Sequence, residues 1–273
     1  MIKLAAGTIL KWSAHYFLDN INYIFNVILY GCFRRYALKC FLWRAAKKPC
    51  PSRSSYLIFQ KQLKSHIIVD PSRIQFYIKK HEPNVVKVLK GLLNEESTFV
   101  DVGAYIGFYT IFSAKLKSKV ISLEPDPRNY KVLLCNVRLA KINNEVVALN
   151  MAASDRTGEV PFKLSKYPSE SSMTSYLKPE SVFCELNVPT ITLDTLLKNL
   201  GLKKVDVEGA GFKVLKGAQK ILAEHKPKII FEVHKTYEDD NELQAVKFLK
   251  NYGYKTRILE YRGKQNFILY LYP

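Results

Sequence analysis

The stretch Phe99–Ser113, FVDVGAYIGFYTIFS, decides the fold of this 273-residue chain. It predicts a short buried strand over 99–102, a turn that Gly103 opens, and a helix that begins at Gly107. Glycine tolerates positive φ and lets a ligand approach the backbone closely. The first amides of a helix lack acceptors within the helix, so they face whatever the turn holds. The stretch therefore indicates a nucleotide-type site at the carboxyl end of a first parallel strand.

A second predicted strand supports the same interpretation. Residues 119–123 (KVISL) are mostly apolar, and Glu124 follows them. An acidic residue about 20 positions after such a glycine turn is placed to accept hydrogen bonds from both ribose hydroxyls of a nucleotide. The G-x-x-x-G spacing of the turn differs from the G-x-G-x-x-G of dinucleotide enzymes. In the sequence Pro125-Asp126-Pro127, Asp126 is predicted to cap the next helix.

Further motifs follow in order, and together with these two they resemble the FkbM-type family of S-adenosylmethionine-dependent methyltransferases. The stretches that carry the resemblance are DVGAYIGFYTIFSAK (101–115), ISLEPDPRNYKVLLCNV (121–137), NMAASDRTGEV (150–160), ITLDTLL (191–197), DVEGAGFKVLKGA (206–218) and KPKIIFEVH (226–234). The resemblance covers residues 65–273. It implies an α/β fold, with a doubly wound, mostly parallel, seven-stranded sheet of the class I methyltransferase, Rossmann-like type. Residues 1–64 lie outside it and are predicted to form a basic, helical N-terminal extension.

The resemblance also implies S-adenosylmethionine as the cofactor, held by residues at matching positions. The predicted cofactor-binding residues are Asp101, Gly103, Tyr105, Gly107, Glu124, Pro125, Ala153 and Asp155. Asp101 would receive the ammonium group, the two glycines would admit the methionine part, and Glu124 would take the ribose. Asp155 would accept from the adenine amino group. The alternatives are a turn cap at Asp101, a lysine partner for Glu124, and a plain turn residue at Asp155.

The catalytic candidates come from the ends of two later strands, predicted over 204–207 and 228–233. They are Asp206, Glu208 and His234. Carboxyl ends of parallel strands share one edge of a sheet, so the three side chains would converge there. A histidine near neutral pKa suits proton removal from a hydroxyl. Two other interpretations stay open: the carboxylates hold a divalent metal, although no metal site is predicted, or all three are structural residues.

The remaining elements alternate between strand and helix, which predicts a parallel sheet with helices on both faces. Residues 74–78 are predicted as a short strand and 212–225 as one helix. Residues 254–260 and 266–272 are predicted to close the sheet as an antiparallel pair. The polar stretch 165–181 is interpreted as a substrate lid, or as an ordinary loop without that role.

Two positions depart from the family pattern. Tyr105 stands where the family has asparagine, and Gly211 stands where it has glutamate. The predicted strand before Asp206 is also shorter than its family counterpart. The departures leave room for a diverged member of the family.

The composition limits the choice of function. The formal net charge is +18, which favours anionic surroundings such as nucleic acid, anionic lipid or acidic substrates. The five cysteines are odd in number and lack CxxC spacing, which argues against a zinc site or a disulfide framework and favours a reducing, cytoplasmic location.

The N-terminal extension carries a predicted amphipathic helix over 16–48. No Asp or Glu occurs between Asn20 and Val69, so this region suits peripheral contact with an anionic membrane. It equally suits packing on the catalytic domain or on a second subunit. Asp19 and several asparagines interrupt its apolar run, which excludes a spanning helix.

The predicted function is methylation of a hydroxyl on a small molecule, a sugar or a glycan. Two alternatives are an RNA methyltransferase, suggested by the charge, and a diverged, non-catalytic, membrane-associated protein. No Asn-Pro-Pro-Tyr-like tetrad follows the strand before Gly209, which argues against methylation of base amino groups. No recognisable RNA-binding module is present either.

Overall fold

The computed structural model describes residues 56–70, 73–78, 80–166, 171, 179–200, 206–208, 211–234, 241–262 and 266–273. The helix predicted over 16–48 lies outside the described residues, and so does most of the predicted lid over 165–181.

Twelve strands and eight helices make up the described part of the chain. The strands are β1 (Tyr56–Gln60), β2 (Ser65–Val69), β3 (Thr98–Val102), β4 (Lys119–Leu123), β5 (Val146–Leu149), β6 (Ala152–Ala153), β7 (Gly158–Ser165), β8 (Val182–Ile191), β9 (Asp206–Glu208), β10 (Ile229–His234), β11 (Lys255–Arg262) and β12 (Asn266–Tyr272). The helices are α1 (Ile74–Ile78), α2 (Pro83–Leu92), α3 (Phe108–Lys115), α4 (Pro127–Ala140), α5 (Leu193–Leu200), α6 (Phe212–Lys216), α7 (Gln219–Glu224) and α8 (Asn241–Asn251).

The main sheet has seven strands in the order β11-β12-β10-β9-β3-β4-β5. Its five strands from β10 to β5 are parallel, and β12 runs antiparallel to both β10 and β11. The predicted class I, Rossmann-like α/β arrangement is therefore confirmed, as is the closing antiparallel pair. The carboxyl ends of the parallel strands meet at one edge, which positions the candidate site.

Strand β3 lies at the centre of the sheet, and all of its side chains are buried. Parallel strands covered on both faces are mostly apolar, and three of the five residues of β3 are, namely Phe99, Val100 and Val102. Helix α3 covers β3 with Ile111 and Phe112, which are also buried. Each such side chain contributes roughly 1.5–3 kcal/mol when it is fully removed from water. The sequence that decides the fold thus also forms the centre of its core.

A two-stranded sheet, β1 and β2, packs against α4 through the fully buried side chain of Asn136. The Asn136 Oδ1 accepts from the Ile68 amide at 2.6 Å, and Nδ2 donates to the carbonyls of Ile68 at 3.0 Å and Ile106 at 2.8 Å. One side chain therefore joins β2, α4 and the turn before α3. Residues Leu57–Pro273 form one compact unit, and the predicted boundary between the extension and the catalytic domain at Ser65 stays a prediction.

A third sheet of three strands, in the order β6-β8-β7, stands beside the main one. Its long strands β7 and β8 are antiparallel, and the two residues of β6 run parallel to β8. The second long strand, β8, begins at Val182, directly after the predicted lid. This sheet carries Ala152 and Ala153 and both ends of the predicted lid.

Two predicted elements are wrong. Residues 74–78 form helix α1 instead of a strand, with Tyr77 buried and Phe76 exposed. Short apolar runs of this length do not distinguish a strand from a helix. The predicted helix over 212–225 is split into α6 and α7 at Gly217, where a Cβ atom would lie 2.1 Å from the Ser154 carbonyl oxygen. The close approach of that carbonyl bends the chain there.

Candidate functional site

The turn after β3 lies directly on the end of β4. The amides of Gly103 and Ala104 both donate to the Leu123 carbonyl, at 2.8 and 3.0 Å. Gly103 has φ +78°, and a Cβ atom added there would have nothing within 4 Å. A glycine with positive φ that faces open space is suited to a ligand that approaches the backbone.

Gly107 has a different role from Gly103. Its φ is +87°, but a Cβ atom there would lie 2.4 Å from Leu133 Cδ1 of α4. Packing between the turn and α4 therefore requires a glycine at this position, whether or not a ligand is bound. The structure separates two glycines that the sequence analysis had treated alike.

Asp101 lies inside the protein, where it holds α3. Its Oδ2 accepts from Thr110 Oγ1 at 2.6 Å, and Thr110 Oγ1 lies 2.7 Å from Ser122 Oγ of β4. The residue is 3% exposed. Burial raises the pKa of Asp101 to about 6, although the hydrogen bonds with Thr110 oppose the rise. These contacts show that Asp101 fixes the turn. Its predicted contact with the cofactor ammonium stays a prediction.

Glu124 is a buried acceptor at the end of β4, with 4% of its surface exposed. Its Oε2 accepts from the Tyr105 amide at 2.7 Å, and its Oε1 accepts from the Asp126 amide at 2.8 Å. Asn129 Nδ2 donates to the same Oε1 at 3.5 Å, a weak contact. Burial and the Asp126 charge raise the pKa of Glu124 to about 8, and the three N–H donors oppose the rise.

The backbone around Glu124 is held by an asparagine that the sequence analysis missed. Asn150 follows β5, and its Nδ2 donates to the carbonyls of Glu124 at 2.7 Å and of Pro125 at 3.1 Å. Pro125 thus lies at the same edge as Glu124. The predicted cap is confirmed, because Asp126 Oδ1 accepts from the Arg128 amide at 2.9 Å. Asn150 opens the quoted motif NMAASDRTGEV, but nothing in that pattern identifies its partners.

Tyr105 contributes its backbone to the site. Its φ is +52°, a left-handed conformation that is uncommon for a residue other than glycine. Asparagine adopts this conformation more readily, so Tyr105 carries a backbone cost that asparagine would lower. The Tyr105 amide is nevertheless directed at Glu124, so the departure preserves the hydrogen bond.

Ala153 and Asp155 follow β5 in the chain. Ala153 is buried and pairs with Ile191 of β8. Asp155 is exposed, and its Oδ1 accepts from Ser154 Oγ at 3.1 Å. An exposed carboxylate after a strand suits either contact with a ligand or a plain turn.

These residues suit the adenosyl group of S-adenosylmethionine. Gly103 provides open space beside the backbone, and Glu124 provides a buried acceptor in the adjoining turn. A carboxylate offers about four acceptor positions, and three N–H groups use positions on Glu124. Both ribose hydroxyls would fit if the weak Asn129 contact were released.

The three catalytic candidates lie at different levels of the sheet. Asp206 pairs with Phe99 and Glu208 pairs with Asp101, so Asp206 begins β9 instead of standing at its carboxyl end as predicted. Ile230 of β10 pairs with Glu208, and His234 lies four residues further on. At about 3.3 Å per residue this separates the levels of Glu208 and His234 by about 13 Å. Of the three, Glu208 alone is level with the end of β3 near Gly103.

The described residues contain neither a cluster of metal ligands nor a membrane-spanning helix. No three of their His, Cys, Asp and Glu side chains group in a way that would hold a metal ion. Among the helices described, none has the length and apolar character needed to cross a membrane.

Comparison with known proteins identifies the family. Residues 101–256 match the family described as the methyltransferase FkbM domain. No curated protein sequence matches significantly. The Methylobacillus flagellatus KT methyltransferase FkbM structure has a TM-score of 0.48 and 19% identity, covering 67% of this chain and 45% of that one.

Two other structures have comparable scores. The structure of M. jannaschii TYW2 in complex with AdoMet has a TM-score of 0.45 and 17% identity over 82% of this chain and 86% of that one. A precorrin-6y C5,15-methyltransferase from Geobacter metallireducens GS-15 has a TM-score of 0.44 and 14% identity over 71% and 89%. Scores this low carry no argument about ligands or reaction.

Proposed function

This chain belongs to the FkbM methyltransferase family, whose methyl donor is S-adenosylmethionine, and we propose that it methylates a hydroxyl group on a small molecule, a sugar or a glycan. The observation that carries the proposal is the open Gly103 beside the buried acceptor Glu124. Glu208 supports the hydroxyl acceptor, because it ends β9 at the level of Asp101.

The cofactor supplies an electrophilic methyl group on a sulfonium when it is bound. The protein must orient donor and acceptor, and it must take the proton from the hydroxyl. Glu124 orients the donor through the ribose, and Gly103 leaves room for it. Tight positioning of this kind lowers the barrier by removing translational and rotational freedom before the reaction.

Proton removal falls to a group at the ends of β9 and β10. A carboxylate at Glu208 is the first choice, since it is level with the turn that carries Gly103. His234 ends β10 and is the second choice because imidazole titrates near neutral pH. Asp206, two residues earlier than Glu208, is the weakest candidate.

The first test is calorimetric titration of S-adenosylmethionine into the full chain and into Glu124→Gln. The exposed Glu185 of β8 provides a matched control, Glu185→Gln. We expect Glu124→Gln to weaken binding by roughly 100-fold, because the amide offers fewer acceptor positions for the ribose hydroxyls and each buried polar group left unpaired costs about 1–3 kcal/mol. The control should bind like the wild type.

No binding by the folded wild-type chain would reject the proposal and favour a diverged, non-catalytic protein. If binding is present, a screen of hydroxyl acceptors follows. RNA belongs in the same screen because of the formal charge of +18. Activity on RNA that falls steeply with added salt would favour the nucleic-acid alternative.

A further inference from the structure

One buried guanidinium, that of Arg128, contacts both the predicted cofactor edge and the third sheet. Arg128 is the second residue of α4, and its side chain is 17% exposed. Its Nε lies 2.9 Å from Asp126 Oδ1, and its Nη2 lies 2.6 Å from Asp126 Oδ2. This forked geometry fixes the orientation of a carboxylate as well as its charge.

The same guanidinium holds both ends of the connection between β7 and β8. Its Nη2 donates to the carbonyl of Ser165, the last residue of β7, at 2.9 Å. Its Cζ lies 5.7 Å from the ring centre of Phe183, the second residue of β8, within the range of a cation–π contact. Arg128 thus links α4 to the two strands that flank the connection.

Ser171 closes the network. Its Oγ donates to Asp126 Oδ2 at 2.8 Å, and it accepts from Arg128 Nη2 and from the Ser165 amide, both at 3.1 Å. Asp126 has no exposed surface. A buried carboxylate without its charge partner is strongly destabilising, so these contacts depend on one another.

The network continues to Glu124. The Asp126 amide donates to Glu124 Oε1 at 2.8 Å, and the Asp126 charge raises the pKa of Glu124. The position of Asp126 therefore affects both the geometry and the charge state of the predicted ribose acceptor. Arg128 determines that position.

We propose that Arg128 is a positioning residue for the methyl-transfer reaction: it fixes Asp126 against Glu124 and, through Ser165 and Phe183, ties the adjoining ends of β7 and β8 to the cofactor edge. This proposal rests on the proposed function. Arg128 itself touches no reacting atom, since it acts through Asp126 and through the strand ends.

The surroundings of Glu124 make a pH profile the decisive measurement. Asp126, the cap of α4, is the charged group that acts on Glu124, and Arg128 pairs with Asp126. The Tyr105 amide and the Asn129 side chain donate to the Glu124 carboxyl group, and Asn150 donates to the Glu124 backbone carbonyl. Asp101 lies on neighbouring β3 and is bonded to Thr110. Removing the Arg128 charge leaves Asp126 unopposed, which raises the pKa of Glu124 further.

The experiment compares Arg128→Met, Arg128→Lys and the control Arg138→Met, which removes an exposed arginine from the same helix. The affinity for S-adenosylmethionine is measured by calorimetry between pH 6 and 9. We expect Arg128→Met to bind roughly threefold more weakly at pH 7 and to shift the midpoint of the profile upward by about half a unit. Arg128→Lys keeps the charge, so its midpoint should stay near that of the wild type.

Hydrogen exchange of the peptide 165–183 provides the second measurement. Both Arg128 variants should exchange faster there than the wild type and Arg138→Met, because an ammonium does not reproduce the fork. Should Arg128→Met fail to fold, Arg128→Lys and Ser171→Ala replace it in the exchange measurement.

Unchanged affinity, midpoint and exchange in the folded variants, alongside tight wild-type binding that Glu124→Gln abolishes, would overturn this inference alone. Absence of wild-type binding would instead reject the proposed function. A lower melting temperature with an unshifted midpoint would assign Arg128 a purely structural role and would also overturn the inference.

Discussion

The central strand β3 is paired over different lengths on its two sides at the candidate site; its β4 side is called the long half and its β9 side the short half. β3 and β4 pair over five positions, whereas β9 pairs with β3 over three and with β10 over two. The carboxylates of the long half, Asp101 and Glu124, are buried and held by several donors. The long half therefore contributes both to cofactor binding and to stability, so substitutions there should change both. Substitutions in the short half should affect turnover more than stability.

The largest expected effect would come from Glu208 in the short half. Glu208→Gln should lower the rate of methyl transfer to an identified hydroxyl acceptor by roughly 10²–10⁴-fold, because proton removal contributes about that much. The affinity for S-adenosylmethionine should stay within about threefold of the wild type. Single-turnover kinetics and calorimetry measure the two quantities. An unchanged rate would transfer the role of base to His234, which His234→Gln tests in the same assay.

Asn136 tests the stability of the long half. Asn136→Ala removes the hydrogen bonds that join β2, α4 and the turn at Ile106, and it leaves buried backbone groups unpaired. We expect the free energy of unfolding to fall by roughly 3–4 kcal/mol, measured by urea denaturation. The exposed Asn187 of β8 gives the control Asn187→Ala, and equal losses in the two variants would contradict the assigned role.

Gly103 and Gly107 separate binding from packing within the long half. Gly107→Ala should destabilise by roughly 2–3 kcal/mol, because it combines positive φ with a clash against Leu133. Gly103→Ala carries only the cost of positive φ, about 1–2 kcal/mol. We expect Gly103→Ala to weaken cofactor binding more than its stability loss suggests. Thermal unfolding measures the loss of stability in both variants, and calorimetry measures the loss of cofactor affinity. If the two variants rank in the same order by both measurements, binding and packing are not separated.

The pH dependence of stability reports on Glu124. Its pKa is raised from 4.5 to about 8, so the folded chain holds this proton more tightly than the unfolded chain. Stability therefore falls as pH rises from 4.5 to about 8, with a slope of up to about 1.4 kcal/mol per pH unit. Glu124→Gln should flatten this part of the profile. Denaturation at pH 5, 6, 7 and 8 measures it, and parallel profiles would contradict the pKa assignment.

The smallest effect is expected at Tyr105. Tyr105→Asn relieves the left-handed backbone cost, roughly 1 kcal/mol, but loses the contacts of a partly buried ring. The two terms nearly cancel, so stability should change by less than about 1 kcal/mol. Cofactor affinity should persist because the contact with Glu124 uses the backbone amide. A large loss of affinity would mean that the tyrosine ring itself binds the ligand.

Local patterns were sufficient to predict most of the long half. Strand β4 has the predicted bounds, and helix α3 begins at Phe108, one residue after the predicted start, because apolar periodicity and the glycine turn before α3 are local signals. The cap at Asp126 is equally local. Helix α1 and the break at Gly217 were missed, because each depends on a distant group. The buried partner of Tyr77 and the Ser154 carbonyl are not visible in the neighbouring sequence.

The candidate site divides in the same way. Glycine and carboxylate types at strand ends pointed to Gly103 and Glu124, but the pattern could not tell that Leu133 limits Gly107. It also assigned Asp206 to a strand end, whereas the register with β3 places it at the start of β9. Asn150 and Arg128 were missed because side chains that bond to backbone carbonyls leave no spacing signal.

The sequence by itself determined the family, the alternation of strands and helices, and the residue types at the first two strand ends, since all of these follow from the order of residues along the chain. Only the tertiary structure decided the levels of Asp206, Glu208 and His234, the separate roles of the two turn glycines, and the links through Asn136 and Arg128. The physical reason is that register, close packing and buried hydrogen bonds join residues far apart in sequence, so their energies depend on distances that the chain acquires only when it folds.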